Sequence, residues 1–163
     1  MLEVATFAPK HAQSVAALIV PIQREEFGVP ITLDDQPDLK DIPGFYQRGV
    51  GNFWVALNAG TVVGSIALLD IGNAQGALRK MFVAPAFRGR EHGTAKRLLD
   101  ALLEWSQARG LREIFLGTTA SFLAAHRFYE KHGFREITRA ELPASFPVMA
   151  VDTKFYGRSL HSA

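Results

Sequence analysis

The sequence predicts an α/β fold, a mixed and mostly antiparallel sheet with a central parallel strand pair. Two observations carry that prediction. Phe53–Leu57 and Thr61–Leu69 are apolar runs of strand length separated by Asn58-Ala59-Gly60, an antiparallel hairpin whose glycine supplies the positive φ of a tight turn. Further on, the apolar run Leu78–Val83, a helical pattern opened by Gly93 and the short run Glu113–Gly117 form a strand-helix-strand crossover, which joins parallel strands. The 163 residues are 48% hydrophobic and 21% charged, enough apolar material for one packed core, so residues 1–163 are expected to form a single domain.

The remaining elements follow in chain order. Leu2–Phe7 reads as a first strand. Pro9 and the spacing of Val15, Leu18, Ile19 and Ile22 predict a helix reaching toward Phe27, with Pro21 in its second half. Gly28–Gly51 carries Pro30, Pro37, Pro43 and several aspartates and reads as a lid-like loop with a short helix around Asp38–Ile42. In the helix after Gly93, Ala95, Leu98, Leu99, Leu102, Leu103 and Ser106 share a face, and Gly110 ends it. Another helix is predicted from about Ser121 to His132, stopped by Gly133. Phe134–Ile137 and Val148–Phe155 then read as closing strands around a loop with Pro143 and Pro147.

Composition removes several function classes. Without cysteine there is neither a disulfide nor a thiolate metal ligand. A formal net charge of +2 argues against a general polyanion surface, so nucleic acid is not an expected partner. Of the 18 basic residues, Arg79, Lys80, Arg88, Arg90, Lys96 and Arg97 crowd into one stretch, which predicts a local anionic ligand. Met1–Phe7 lacks a basic start before a long apolar segment, and no apolar run approaches the roughly 20 residues of a membrane span, so no membrane partner and a cytoplasmic location are expected.

The loop Ala84-Pro85-Ala86-Phe87-Arg88-Gly89-Arg90-Glu91-His92-Gly93-Thr94-Ala95 mixes arginines and glycines at a helix start. The first N–H groups of a helix lack internal partners and lie at the positive end of its dipole, which suits a phosphate, and glycine lets that phosphate approach the backbone. The plain alternative is an ordinary helix start whose glycines serve turn geometry. P-loop and Rossmann readings fail, because no Gly-Lys-Ser/Thr closes the loop and no G-x-G-x-x-G occurs.

Arg90-Glu91-His92-Gly93-Thr94-Ala95 resembles the R/Q-x-x-G-x-G/A signature of the GNAT (GCN5-related N-acetyltransferase) family, and Met81-Phe82-Val83-Ala84-Pro85 resembles the strand ending in Val-x-Pro that precedes it. The resemblance implies that Arg88, Gly89, Arg90, Glu91, His92, Gly93, Thr94 and Ala95 hold the pyrophosphate of coenzyme A. It also implies that Met81, Phe82 and Val83 hold the pantetheine arm by their backbone. Arg88-Gly89 stands where the family's Arg-Gly usually begins the signature, about two residues early, which leaves open which arginine meets which phosphate oxygen. The implied fold is a mixed sheet with helices on both faces, the cofactor entering between the Val83 and Phe115 strands. The resemblance spans roughly Phe53–Phe155.

Ala125, Tyr129, Glu130, Lys131, Gly133 and Phe134 match the family's second hallmark, A-x-x-x-Y-E-K-x-G-F, whereas Phe122 replaces the asparagine often found three residues before the alanine. Aminolysis of a thioester expels a thiolate, and a phenol of reference pKa about 10 can protonate it while remaining neutral at physiological pH. Tyr129 is therefore the expected general acid, and its plain alternative is a core aromatic beside Phe128.

The amine must lose a proton during attack. Many family members carry a carboxylate on the strand before the loop, but Arg79 and Lys80 occupy those positions here, leaving Glu25, Glu26, Asp34, Asp35 or a water chain as acceptors. His11, His92, His126, His132 and His161 show no metal-ligand spacing, so no metal is expected; His92 is placed near phosphate and His126 on the helix exterior. Thr118 and Thr119 fall where the central strands would splay, or cap the next helix. The resulting expectation is an acetyl-CoA-dependent N-acetyltransferase acting on the amine of a small molecule or peptide by direct attack, with a backbone N–H near Met81 polarising the carbonyl. A non-catalytic acyl-CoA-binding or sensing domain is the alternative, and a homodimer is compatible with either.

Overall fold

The computed structural model describes residues 2–120 and 123–160. Seven strands form one open sheet in the order β1-β2-β3-β4-β5-β7-β6. These are β1 (Leu2–Thr6), β2 (Asn52–Asn58), β3 (Thr61–Asp70), β4 (Gln75–Val83), β5 (Glu113–Thr118), β6 (Arg135–Ile137) and β7 (Lys154–Ser159). Neighbours pair antiparallel except β4 and β5, the parallel pair expected from the crossover. The β2–β3 turn uses positive φ at both Ala59 (51°) and Gly60 (84°), so an alanine shares the conformation expected of the glycine alone.

Helices cover both faces. On the first, α4 (Thr94–Ala108) and α5 (Leu123–Lys131) bury Leu98, Leu99, Leu102 and Tyr129 against Ile66, Leu68, Leu78, Ile114, Leu116 and Tyr156. Close approach pins the start of α4, because a Cβ on Gly64 of β3 would sit 2.9 Å from Leu98 Cδ1 and 3.1 Å from Thr94 Cγ2. On the second face, α1 (Ala12–Pro21), α2 (Pro37–Lys40) and α3 (Ile42–Phe45) cover Phe53, Val55, Val62 and Ala67. The β6–β7 segment completes that face with Phe146 and Val148 packed on Ala77, Phe115 and Phe155.

The first helix reaches toward Phe27 as expected, its last turn after Pro21 being a π-turn over Ile22–Glu26, where Phe27 N–H reaches Ile22 O at 3.1 Å. Two expectations change. The single short helix of the lid is two one-turn helices, with the Asp41 carboxylate capping the second by accepting from Gly44 N–H. The closing strand is Lys154–Ser159 rather than Val148–Phe155, since Asp152 accepts from Met149 N–H at 2.9 Å and curls 149–152 into a turn. The expected start of α5 at Ser121, the asparagine replacement Phe122 and His161 lie outside the described residues.

Candidate functional site

The parallel ladder between β4 and β5 runs only through Gln75–Glu113, Gly76–Ile114 and Ala77–Phe115. Beyond that point the two strands diverge, β4 toward Val83 and β5 toward Thr118, and Thr118 takes Lys154 of β7 as its partner. A gap therefore opens between the C-terminal halves of two parallel neighbours, where unpaired strand edges offer backbone donors and acceptors to a ligand.

A bulge in β4 shapes one wall. From Ser65 to Ala67 β3 advances two residues while β4 advances three, from Phe82 to Arg79, so Lys80 and Met81 oppose Ile66 alone. Lys80 takes up the extra residue at φ 53°, its carbonyl accepting from Ser65 Oγ at 2.7 Å. Arg79 and Lys80, adjacent in sequence, consequently both turn to the face under α2 and α3. The Arg79 guanidinium lies 5.8 Å and 5.9 Å from the Phe45 and Tyr46 ring centroids, and Lys80 Nζ meets Gln36 Oε1 at 2.7 Å and Asp38 Oδ2 at 3.5 Å.

That lysine anchors a buried polar network that sequence reasoning missed. Tyr46 Oη donates to Asp38 Oδ2 at 2.6 Å, and Gln23 and Gln36 exchange hydrogen bonds at 3.0 and 2.8 Å. Burial pulls the Lys80 ammonium below its ordinary pKa while Asp38 pulls it back up. Gln23, Gln36 and Asp38 were visible as polar residues at the edges of apolar segments, but nothing local connects positions so far apart in sequence.

The loop after β4 forms a 3-10 turn at Pro85–Phe87, an exposed stretch Arg88–His92, and then α4. Gly93 is the N-cap at φ 64°, and no side chain caps the helix, so its first N–H groups remain available to an external acceptor. Thr94 Oγ1 donates to Phe87 O at 2.9 Å, tying the turn to the helix start. His92 lies 5.8 Å from the Phe87 ring, and Ala95 is half-buried.

The basic stretch does not gather on one ligand. Arg88 makes a two-pronged contact with Glu26 at 2.8 and 3.0 Å, and its Nε donates to Val83 O at 2.8 Å, linking the loop to the end of the first helix. Lys96 pairs with Asp100, and Arg97 donates to Leu2 O. Arg90 engages no carboxylate among the described residues. Glu91 folds its carboxylate over Gly89, where a Cβ would lie 3.3 Å from it.

On the first face of the gap, Tyr129 is 8% exposed and its ring packs against Phe128, Phe134 and Tyr156. Its hydroxyl points to Met81 Sδ at 3.9 Å, bringing α5 and β4 together. Burial pushes this phenol up to about 12. Phe82 lies on the opposite face, its ring 6.1 Å from Phe27. His126, expected on the helix exterior, is instead buried, with Nε2 2.7 Å from Thr119 O, because α5 turns that side toward Tyr156.

The expected proton acceptors are otherwise engaged or outlying. Glu26 holds Arg88, Asp34 holds Lys40, and Asp35 accepts from Thr32 N–H and Oγ1, which keeps its carboxyl below the usual range. Glu25 is exposed at the end of the first helix. Asp152 is closer to the gap. Its carboxylate lies over Gly117 of β5, where a Cβ would sit 2.5 Å from Oδ2, and burial raises its pKa against the pull of Met149 N–H and Arg79. Among the described residues no three His, Cys, Asp or Glu side chains gather around a common metal position, and no helix is long and apolar enough to cross a membrane.

Residues 17–134 match the model of the acetyltransferase (GNAT) family. The chain is similar over 99% of its length to an acetyltransferase of the GNAT family from Staphylococcus aureus MU50, with 37% identity, a TM-score of 0.93 and all of that chain covered. A similar acetyltransferase structure from Streptococcus agalactiae 2603 gives 32% identity and a TM-score of 0.91, with 98% of each chain covered. Among curated proteins, N-acetylaspartate synthetase of Danio rerio is 38% identical over 106 residues, and that of Homo sapiens 40% over 103. These alignments take in 64% and 61% of this chain but only 37% and 33% of those relatives.

Proposed function

Because the chain belongs to the acetyltransferase (GNAT) family, we propose that it is an N-acetyltransferase, taking acetyl from acetyl-CoA and giving it to the amine of a small molecule or peptide by direct attack. The observation that carries this reading is the gap between β4 and β5, opening between the uncapped start of α4 and the buried Tyr129 hydroxyl.

The residues present fit coenzyme A. The uncapped N–H groups at the start of α4 suit a pyrophosphate, and Arg90, exposed and with no carboxylate attached, suits its charge. Gly93 lets a phosphate come near the backbone, and Gly89 does so once the Glu91 carboxylate swings away. Arg88 reaches a phosphate only by leaving Glu26, so in this reading Arg90 is the first guanidinium to engage. The Met81–Val83 edge of β4 lines the gap for the pantetheine arm, although Val83 O already accepts from Arg88. Bound acetyl-CoA would supply the acetyl group as an activated thioester.

The chain's own groups then divide the proton work. Tyr129 stays protonated well above physiological pH and can donate to the departing sulfur. Asp152, on the opposite face and partly desolvated, is the carboxylate placed to accept the amine's proton, directly or through one water. A backbone N–H at the bulge near Met81 can polarise the carbonyl. The name of the curated relatives, which refers to acetylated aspartate, supports an amino-acid amine as acceptor.

The unbroken sheet supports reading 1–163 as one acetyltransferase domain, and we place it in the cytoplasm without a membrane or nucleic-acid partner, alone or as a homodimer. Thiol release from acetyl-CoA across a panel of amino acids, polyamines, aminoglycosides and peptides tests the activity. Thermal stabilisation by CoA without turnover on any amine would favour the sensing domain instead, and no affinity for CoA would end both readings.

A further inference from the structure

We propose that Arg79 anchors a carboxylate of the acceptor, so that the acceptor is an amine of amino-acid size carrying its own carboxylate. This deepens the acetyl-transfer reading and rests on it.

Position comes first. Ala77 and Phe115 are the last parallel pair, and Arg79 is the next residue of β4 on the same face, hence the first side chain past the point where the strands part. Its counterpart on β5 is Gly117, whose missing side chain leaves room that the Asp152 carboxylate occupies. An acceptor entering from this face meets a cation on one wall and an anion on the other.

The charge balance of the bulge points the same way. Lys80 is neutralised by Asp38 inside the lid network. Arg79 is not: among the described residues no carboxylate lies within 4 Å of its nitrogens, and its polar partner is Met149 Sδ, 3.6 Å from Nη2. A thioether is a weak acceptor, whereas a half-buried guanidinium presents a planar fork suited to two oxygens. The Phe45 and Tyr46 rings hold that fork in place and thin its hydration. Exposed Phe27, Phe45, Met149 and Val151 supply apolar surface around the entrance, and Met149, in the turn closed by Asp152, is the contact a carboxylate would displace.

An amino acid in zwitterionic form answers both walls, its carboxylate on Arg79 and its ammonium drawn toward Asp152. A polyamine would place a second cation beside Arg79, which disfavours it. The competing account is that Arg79 merely stacks on the lid rings with Asp152 as a distant counter-ion.

The test compares wild type with Arg79→Gln and Arg79→Lys, using aspartate, its two monoamides, its diamide and a simple alkylamine. Thiol release gives kcat and KM, and thermal stabilisation of the CoA-saturated protein gives acceptor binding independent of turnover. Wild type should use the carboxylated amines at least about 100-fold better in kcat/KM than the diamide. Arg79→Gln should raise KM for the acids at least about 30-fold and leave CoA affinity and the KM of the diamide unaltered, while any change in kcat through Asp152 should be shared by acids and diamide, with Arg79→Lys intermediate. Equal use of acid and diamide by wild type, or an equal rise in KM for both in Arg79→Gln, overturns the anchor. Turnover on no amine sinks the acetyl-transfer reading separately. The anchor then stands if an acid stabilises CoA-bound wild type but not Arg79→Gln, and falls if it stabilises both or neither.

Discussion

Replacing Tyr129 with phenylalanine removes one oxygen where stability and turnover answer to different contacts. The ring is held at centroid separations of 5.9, 5.7 and 5.9 Å from Phe128, Phe134 and Tyr156, all of which phenylalanine keeps. The hydroxyl reaches Met81 Sδ at 3.9 Å, a long contact to a weak acceptor. Removing a buried hydroxyl so poorly matched should leave folding unchanged or stabilise it by up to about 1 kcal/mol. A positioned general acid, by contrast, contributes about 10²- to 10⁴-fold, and the lower figure corresponds to about 2.7 kcal/mol of barrier. The variant should therefore show a urea midpoint equal to or above wild type, CoA affinity within about twofold, and kcat at least about 100-fold lower. Since burial pushes the phenol up to about 12, the donor form prevails below that value, and wild-type kcat should not fall through loss of this proton between about pH 8 and about pH 10. Unchanged kcat in the variant, or a loss of activity matched by a loss of stability, would refute the acid role.

Other perturbations separate the remaining parts. Asp38→Asn leaves the Lys80 ammonium buried without its counter-charge and should destabilise by about 3 kcal/mol in chemical denaturation, most of it recovered on adding Lys80→Met; a change below about 1 kcal/mol would show that the pair contributes little. Glu26→Gln frees Arg88 and should tighten CoA binding if Arg88 also serves the pyrophosphate, whereas Arg88→Gln should weaken it; isothermal titration giving no change for both would assign Arg88 to the lid contact alone. Gly93→Ala forces a side chain into the left-handed region at φ 64° and should cost about 1–2 kcal/mol in thermal unfolding, Gly93→Asn less, and equal costs would contradict that conformational reason.

The parts legible in the sequence are those fixed by short-range period and turn chemistry. The β2–β3 hairpin, the β4-α4-β5 crossover and the buried stripe Leu98, Leu99, Leu102 and Ser106 all follow from spacing. The closing strand did not, because Gly157 and Arg158 look like loop residues until Phe115 is packed over Gly157, where a Cβ would lie 3.2 Å from its ring. The bulge was hidden for a related reason: a lysine, not a glycine or asparagine, takes the left-handed conformation. Without knowing that Lys80 is the extra residue, alternation sends its side chain to the face opposite Arg79, and neither the link to Asp38 nor the half-buried guanidinium of Arg79 on that same face can be foreseen.

The bulge turns Arg79 and Lys80, which stand where many family members carry a carboxylate, to one face without leaving the site short of negative charge. Lys80 held in the left-handed region costs about 1 kcal/mol or more, and the hydrogen bonds of its ammonium and carbonyl offset that. With two cations thus committed to one face, a carboxylate in either position would pair with its neighbour and lose its capacity to accept a proton. The acids come instead from flanking segments, and they are not equivalent. Asp38 Oδ2 already takes the Tyr46 hydroxyl and the Lys80 ammonium inside the lid network. Asp152 receives Met149 N–H, stands over the gap at Gly117, and is raised in pKa by burial, which brings it closer to an amine's proton affinity. In the proposed reaction proton acceptance therefore falls to the β6–β7 segment, the lid holds the bulged strand, and Arg79 between them feels Asp152 with no carboxylate among the described residues in direct contact.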